Sequence, residues 1–129
     1  MPQKPETRAA KLVNDWLPSS VYFEKMHNVY RGGTPDFYYE GPSDMLWVEY
    51  KHFPHYPRSW SVITDEHRGL SRLQQNWLRR ARNNHRKTAV IAKHPQGYAL
   101  FVGDDWEHGQ PYTDTCTALE IAKWITYQV

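Results

Sequence analysis

The chain has 129 residues, a formal net charge of +2 and a single cysteine, Cys116. This length supports one domain with one modest core, and a lone cysteine excludes both an internal disulfide and a zinc site built on several thiolates. No apolar run approaches the roughly 20 residues of a membrane span and no apolar signal segment opens the chain, so we expect a cytoplasmic protein with no membrane partner.

The first predicted elements are a helix and a strand. Glu6 to Leu17 carries apolar residues at helical spacing, and Pro18 ends the helix. The stripe expected to face the core consists of Ala9, Leu12, Val13 and Trp16. Val21 to Tyr30 is rich in aromatic and branched residues and is predicted to be a strand.

Two further strands follow, on either side of a strong turn signal. Gly33 to Tyr39 and Leu46 to Lys51 have the composition of strands, and the segment Glu40 to Asp44 between them contains Gly, Pro, Ser and Asp. We therefore expect an antiparallel pair joined by a tight connection.

This pair of strands gathers three charged side chains. Glu49 and Lys51 point to the same face because side chains alternate along a strand, and antiparallel pairing brings Asp36 beside them. Two carboxylates and one ammonium group in a small space are costly unless a divalent cation or a phosphate completes the cluster. The alternative from spacing alone is an ordinary salt-bridged sheet surface.

A segment of irregular pattern, which we call the arm, runs from His52 to Gly69. It contains two prolines, three aromatic residues and three histidines, and loops this long without secondary structure are usually functional or mobile. One interpretation is a surface loop held by its aromatic side chains. The other is a substrate-contacting arm in which Arg58 and Trp60 are the main contacts and His52 binds phosphate or substrate.

The second predicted helix, Ser71 to about Asn84, follows the arm. Its inward stripe contains one polar residue, Gln74, which also fits the third position of a capping box that starts at Ser71. The stretch from His67 to Gly103 has no Asp or Glu but has eight of the 16 basic residues. This charge pattern indicates either a solvated helix face or a phosphate-binding surface, and the expected phosphate contacts are Arg72, Arg79 and Arg82.

The remaining elements complete one α/β domain that spans residues 1–129. Thr88 to Lys93 and Tyr98 to Val102 are predicted strands joined by a hairpin turn, Gly103 to Tyr112 is a predicted loop, and Thr115 to about Tyr127 is a closing helix. The expected architecture is a mixed central sheet of about five strands flanked by three helices.

The order of these motifs resembles the PD-(D/E)xK restriction-endonuclease-like nucleases, and among them the small virus-type replication-repair (VRR-Nuc) nucleases of phages. The motif is Gly-x-Pro-Asp, then Val-Glu-x-Lys at the end of a strand, then Leu-Ser-x-x-Gln-x-x-Trp at the start of a helix. The matching residues are Gly33, Pro35, Asp36, Val48, Glu49, Lys51, Leu70, Ser71, Gln74 and Trp77. The family passes from the lysine strand to the helix by a short loop, whereas this chain has the long arm.

The resemblance implies a restriction-endonuclease-like fold and a role for each site residue. Asp36 and Glu49 would bind Mg²⁺ or Mn²⁺, Lys51 would be the catalytic lysine, and Gln74 would lie near the site. The family also has a glutamate on its first helix, and that role maps to Glu6. The competing acidic residue is Glu24, on the preceding strand.

The expected function is therefore a metal-dependent endodeoxyribonuclease acting in phage-type replication, repair or recombination, in a bacterial or phage-infected cell. No base-reading module is recognisable, so selectivity for branched, flapped or nicked DNA is favoured over sequence selectivity, and a homodimer would suit paired cleavage of a junction. The alternatives are a non-catalytic nucleic-acid-binding protein on a nuclease fold and an RNA-directed nuclease.

Overall fold

The computed structural model describes residues 3–27 and 32–129, which form one mixed six-stranded sheet with helices on both faces. The helices are α1 (Pro5–Asn14), α2 (Arg72–Asn83) and α3 (Ala118–Gln128). The strands are β1 (Tyr22–Lys25), β2 (Phe37–Glu40), β3 (Met45–His52), β4 (Thr88–His94), β5 (Gly97–Val102) and β6 (Thr113–Cys116). Among these residues, no helix has both the length and the apolar character needed to cross a bilayer.

The strands lie in the sheet in chain order, from β1 to β6. All neighbours pair antiparallel except β3 and β4, which are parallel and place Glu49 beside Val90. Parallel neighbours need a crossover connection, which the arm and α2 provide. The expected α/β class and restriction-endonuclease-like architecture are confirmed, with six strands instead of about five.

The additional strand is β6, which begins just after the predicted loop and includes the first two residues of the predicted last helix, Thr115 and Cys116. Its four residues, Thr113 to Cys116, are polar or small and show no apolar alternation, so the sequence gives no strand signal. Pairing with β5 defines it as a strand, and the last helix begins only after the N-cap Thr117. A short 3₁₀ turn, Asp105–His108, lies within the predicted loop before it.

The sheet separates two clusters of buried side chains. On one face α1 and α3 pack on the sheet, and the cluster includes Val48 and Tyr50 of β3 and Ile121 of α3. On the other face α2 and the arm cover Val90 and Phe101. Alternation along β3 therefore sends Tyr50 into the first cluster and the neighbouring Glu49 toward α2.

Helix α1 is fixed to the sheet by buried tyrosine hydroxyl groups. Tyr98 donates to the Ala9 carbonyl at 2.8 Å, and Tyr39 donates to Asn14 Oδ1 at 2.6 Å. The hydroxyl of Tyr50 is 2.7 Å from that of Tyr39. Because buried hydroxyl groups are costly when unpaired, these bonds set where α1 sits on the sheet.

The inward stripe predicted for α1 was partly wrong. Ala9 and Val13 are buried as expected, but Leu12 is 51% exposed and Ala10 is fully buried. The helix ends at Asn14, so Trp16 lies beyond it and is 59% exposed. The first predicted strand, Val21 to Tyr30, was too long, because β1 spans only Tyr22–Lys25 and residues 26 and 27 are not in a strand. Residues 28–30 of that prediction lie outside the described residues.

The arm has secondary structure and a buried centre. It contains a 3₁₀ turn, Trp60–Thr64, whose apolar side chains Trp60, Val62 and Ile63 join the α2-side cluster. Trp60 is only 8% exposed and its ring packs against Phe101. This corrects the interpretation of Trp60 as a DNA contact, because a ring committed to the core cannot stack on a substrate.

Candidate active site

Asp36 is positioned by the turn that precedes β2. Gly33 has a φ of +96°, and a Cβ there would lie 2.4 Å from the Leu73 carbonyl oxygen, so only glycine allows this turn to approach α2. The Asp36 carboxylate then reaches β3, where Oδ2 accepts a hydrogen bond from the Tyr50 amide at 3.0 Å. The close approach of this turn to α2 thus explains why the Gly-x-Pro-Asp motif has a glycine at position 33.

Glu49 lies on β3, faces α2 and is 3% exposed. Its Oε2 accepts a hydrogen bond from Gln74 Nε2 at 3.0 Å and is 3.9 Å from Lys51 Nζ. The other oxygen, Oε1, is buried without a hydrogen-bond partner among the described residues. A buried carboxylate oxygen with no partner is costly, and native structures retain such groups mainly at functional sites.

Burial raises the pKa of both carboxylates, and the charge of Asp36 adds to the rise at Glu49. Burial, followed by the charge of Asp36, raises the pKa of Glu49 well above its usual value. Burial also raises the pKa of Asp36, against the lowering effect of the Tyr50 amide and of Lys51. Glu6 adds a smaller repulsion to the pKa of both groups. Two acids that resist ionisation side by side form a site that favours an added cation.

Gln74 fulfils both interpretations offered by the sequence. Its side-chain oxygen accepts from the Ser71 amide at 2.9 Å, and Ser71 Oγ accepts from the Gln74 amide, which completes the capping box of α2. The opposite end of the same amide donates to Glu49. The capping box therefore holds the side chain in the orientation that binds the carboxylate.

These groups line an open cleft of about 580 Å³ at the end of the sheet. Glu6, in the first turn of α1, lines the cleft, whereas Glu24 lies on exposed β1 and does not. The Glu24 carboxylate accepts a hydrogen bond from Tyr22. Of the two candidates for the third acidic residue, Glu6 is the one beside the site.

The donor set fits a hard divalent cation at Asp36 and Glu49. Carboxylate oxygens are the ligands that Mg²⁺ and Mn²⁺ prefer, and Glu49 Oε1 is the unpartnered oxygen that such an ion would satisfy. Among the described residues no group of three His, Cys, Asp or Glu side chains lies close enough to hold a metal. Glu6 lines the cleft beside the carboxylate pair, and its role as a third metal ligand stays a prediction.

The arginines predicted to bind phosphate are largely paired with acids. The pairs are Arg72 with Glu66 at 3.4 Å, Arg79 with Glu107 at 2.6 Å and Arg82 with Asp104 at 3.0 Å. These three arginines of the acid-free stretch are thus paired in space with acids that lie on either side of it in the sequence. This lowers the attraction for phosphate expected of that face.

Two lysines that the sequence analysis did not single out line the cleft. Lys4 precedes α1, and Lys25 ends β1, where its Nζ donates to Thr7 Oγ1 at 3.2 Å. Of these two lysines, only Lys25 could have been placed near the site from the sequence. The antiparallel pairing of β1 with β2 sets it opposite Phe37, which is next to Asp36. His52 ends β3 and is half-buried, and it is not among the residues that line the cleft.

Comparison with solved structures gives a fold relative. The chain is similar to Hjc, a Holliday junction resolvase from the archaeal hyperthermophile Archaeoglobus fulgidus, with a TM-score of 0.53 and 17% sequence identity. The alignment covers 90% of this chain and 98% of that chain. No family model and no curated protein matches the sequence. At this identity the likeness shows the fold, which is the restriction-endonuclease-like architecture expected from the sequence.

Proposed function

We propose that this protein is a Mg²⁺- or Mn²⁺-dependent endodeoxyribonuclease that selects branched, flapped or nicked DNA by its structure. The observation that carries the proposal is the carboxylate pair of Asp36 and Glu49, with an unpartnered buried oxygen on Glu49 and Lys51 Nζ 3.9 Å from the other oxygen. Such a pair fits a divalent cation better than it fits a salt bridge alone.

The chain's own groups have separable roles in this reaction. A divalent cation, when bound, supplies positive charge that polarises the scissile phosphate and acidifies water. Lys51 orients the attacking water and offsets charge in the transition state. Gln74 holds the Glu49 carboxylate in one orientation, and the Tyr50 amide does the same for Asp36.

The fold relative supports the choice of substrate class. That protein is a Holliday junction resolvase, and the alignment covers 98% of it, so a branched DNA substrate is a coherent proposal here. A homodimer would suit the cutting of two strands of one junction. The motifs further favour a place among the phage-type VRR-Nuc nucleases of replication, repair or recombination.

The test is cleavage of plasmid and of synthetic branched DNA with Mg²⁺ or Mn²⁺, followed by addition of EDTA. We expect metal-dependent cutting that EDTA stops and that Lys51→Ala lowers by at least about 100-fold, since removing a group that stabilises the transition state costs about this much. Lys51→Ala should still bind DNA. The matched control is Lys123→Ala, which removes an exposed lysine on α3 and should cut as the unmodified protein does.

Two other functions are distinguished by the same assay. DNA binding without cutting across plasmid, four-way junction and flap substrates would contradict the nuclease and favour a non-catalytic binding protein. Faster cutting of matched RNA than of DNA would favour an RNA-directed nuclease.

A further inference from the structure

A second concave site lies on the arm, apart from the cleft. This arm pocket has a volume of about 540 Å³ and is formed around the 3₁₀ turn Trp60–Thr64. Its polar lining consists of Arg58, Ser59, Ser61, Thr64, Asp65 and Arg68. Two guanidinium groups and three hydroxyl groups against one carboxylate make the pocket a site for an anion with several oxygens.

Arg58 supplies the uncompensated charge of the arm pocket. Arg68 is held by Asp65, whose Oδ2 is 3.2 Å from Nη2. Two backbone amides, those of His67 and Arg68, also donate to Asp65 and lower its pKa. Within residues 3–27 and 32–129, no carboxylate lies within 4.0 Å of Arg58. By contrast, Arg72, Arg79 and Arg82 of α2 are paired with acids, and Arg80 of the same helix lies over the Trp77 ring.

The hydroxyl groups of the pocket retain donor capacity. Ser59 Oγ and Ser61 Oγ are 2.9 Å apart, and this contact uses the hydrogen of one of them. The other hydrogen has no acceptor among the described residues, while Ser59 Oγ also accepts from the Ser61 amide. Thr64 donates its own hydroxyl hydrogen to the Ser61 carbonyl and so braces the turn. One hydroxyl hydrogen thus remains for an oxyanion beside Arg58.

The pocket is rigid and is joined to the active site. Its backbone carries the buried side chains Trp60 and Ile63, so the turn cannot move without opening the core. Gln75 Nε2 donates to the Thr64 carbonyl at 3.0 Å, and the preceding residue, Gln74, donates to Glu49. The first turn of α2 therefore contacts both sites.

We propose that the arm pocket binds a backbone phosphate of the DNA, distinct from the scissile phosphate, through Arg58 and the hydroxyl pair Ser59–Ser61. The proposal rests on the proposed nuclease function, since it needs DNA at the neighbouring cleft. In this proposal the arm makes a second contact with the DNA backbone, which sets the direction of the DNA where it leaves the active site. A phosphate contact of this kind positions the nucleic acid and reads no bases.

The test uses a Lys51→Ala background, which keeps the substrate intact, and fluorescence anisotropy with a labelled four-way junction in Mg²⁺ at several salt concentrations. Adding Arg58→Ala should weaken binding roughly tenfold, as expected for a lost hydrogen bond to a charged group. It should also make the slope of log K against log salt shallower by about one. Arg58→Lys should keep the slope, and Ser61→Ala should lose affinity with no change in slope.

The matched control adds Lys123→Ala, the same loss of one positive charge on the opposite face of the sheet. Thermal unfolding midpoints of all variants verify that the exposed substitutions leave the fold intact. Equal junction affinity and an equal salt slope for Arg58→Ala and Lys123→Ala would contradict phosphate binding by the arm pocket. The nuclease proposal would be unaffected by that result. Absence of junction binding by the Lys51→Ala parent would overturn both.

A titration with inorganic phosphate at constant ionic strength separates a free anion from a DNA phosphate as the source. Phosphate binding that requires Arg58, together with junction binding that does not, would make the pocket a free-anion site and contradict the proposal. Junction binding that Arg58→Ala weakens roughly tenfold supports the proposal.

Discussion

Glu49 is held in surroundings that oppose its charge. It is buried, it lies beside the Asp36 carboxylate, and its Oε2 accepts a hydrogen bond from Gln74. Breaking or omitting a partner of a buried charge costs several kcal/mol in typical proteins. A residue placed in this way lowers the stability of the metal-free protein, which is the usual sign of a site selected for function.

Glu49→Gln should therefore stabilise the metal-free protein at neutral pH, by about 1–3 kcal/mol. The sign of the pH dependence follows from the raised pKa of Glu49. The folded protein favours the protonated form of Glu49. The contribution of Glu49 to the free energy of unfolding is therefore greatest at acid pH and is lost as pH rises through the raised pKa. The difference in free energy of unfolding between Glu49→Gln and the unmodified protein should therefore increase as pH rises over this range. Urea unfolding in EDTA at a series of pH values measures it.

The control for this substitution is Glu24→Gln, since Glu24 is exposed on β1 and away from the cleft. We expect it to change stability by less than about 0.5 kcal/mol. A Glu49→Gln protein less stable than the unmodified chain at neutral pH would mean that Glu49 has compensating partners, and the case for a vacant ligand position would fail.

At the level of single residues, the convergence of Asp36, Glu49 and Lys51 was predictable because strand alternation and one tight turn determine it. Gln75 was not predictable. It is adjacent to Gln74 on α2 and is 7% exposed, with its amide bonded to the Thr64 and Leu70 carbonyls. Its burial depends on the 3₁₀ turn of the arm, which has no periodic signal.

At the level of elements, the arm is tied to the β4–β5 hairpin through His94. His94 is 1% exposed, its Nδ1 accepts from the Gln96 amide at 3.1 Å, and its Nε2 lies 2.5 Å from the Asp114 carbonyl. This arrangement fits the neutral Nε2–H tautomer. The ring also packs edge-on against Tyr56 of the arm, whose hydroxyl donates to the Asp114 carboxylate.

Protonation of His94 should loosen this connection. Burial, followed by the charge of Lys93, lowers the pKa of His94, while its bond to the Asp114 carbonyl acts against this shift. The neutral ring thus contributes stability that is present above the ordinary value of about 6.5 and is lost as pH falls through the lowered pKa. Thermal unfolding midpoints should therefore fall more steeply on the acid side in the unmodified protein than in His94→Gln.

His55→Gln is the matched control, because His55 is an exposed histidine of the same arm. It should follow the unmodified protein at every pH. Identical acid-side slopes for His94→Gln and the unmodified protein would show that His94 does not titrate in this range, or that its bonds are unimportant to the arm.

The elements with a clear helical or strand pattern in the sequence were predicted correctly. The features that depend on contacts with other elements of the fold were not predicted. α2 and β3 have clear helical and strand signals, and their positions hold. β6 exists through its pairing with β5, and α1 buries Ala10 instead of Leu12 because it lies between the sheet and α3. The pairing of Arg79 and Arg82 with acids of the loop after β5 likewise arises only in three dimensions.

At the scale of the whole molecule, the six-stranded sheet brings the first turns of two helices to one cleft. Glu6 comes from α1 on one face and Gln74 from α2 on the other. The cleft thus requires the complete packed domain, and an ion that binds there should stabilise the native state as a whole by mass action.

Mn²⁺ should raise the free energy of unfolding by about 2.7 kcal/mol at a concentration 100 times its Kd. The effect should increase with pH, because metal and protons compete for Asp36 and Glu49, whose pKa values are raised by burial. Calorimetric unfolding with and without Mn²⁺ at several pH values measures both quantities.

Substitutions separate the metal site from the catalytic lysine in this experiment. Asp36→Asn and Glu49→Gln should each abolish the Mn²⁺ effect, since either removes a charged oxygen ligand. Lys51→Ala should retain or strengthen it, because the ammonium group 3.9 Å from Glu49 repels the ion and competes for the same oxygen. Mn²⁺ stabilisation that persists in both carboxylate variants would place the ion elsewhere. Stabilisation lost only in Lys51→Ala would contradict the separation of binding from catalysis on which the proposed mechanism depends.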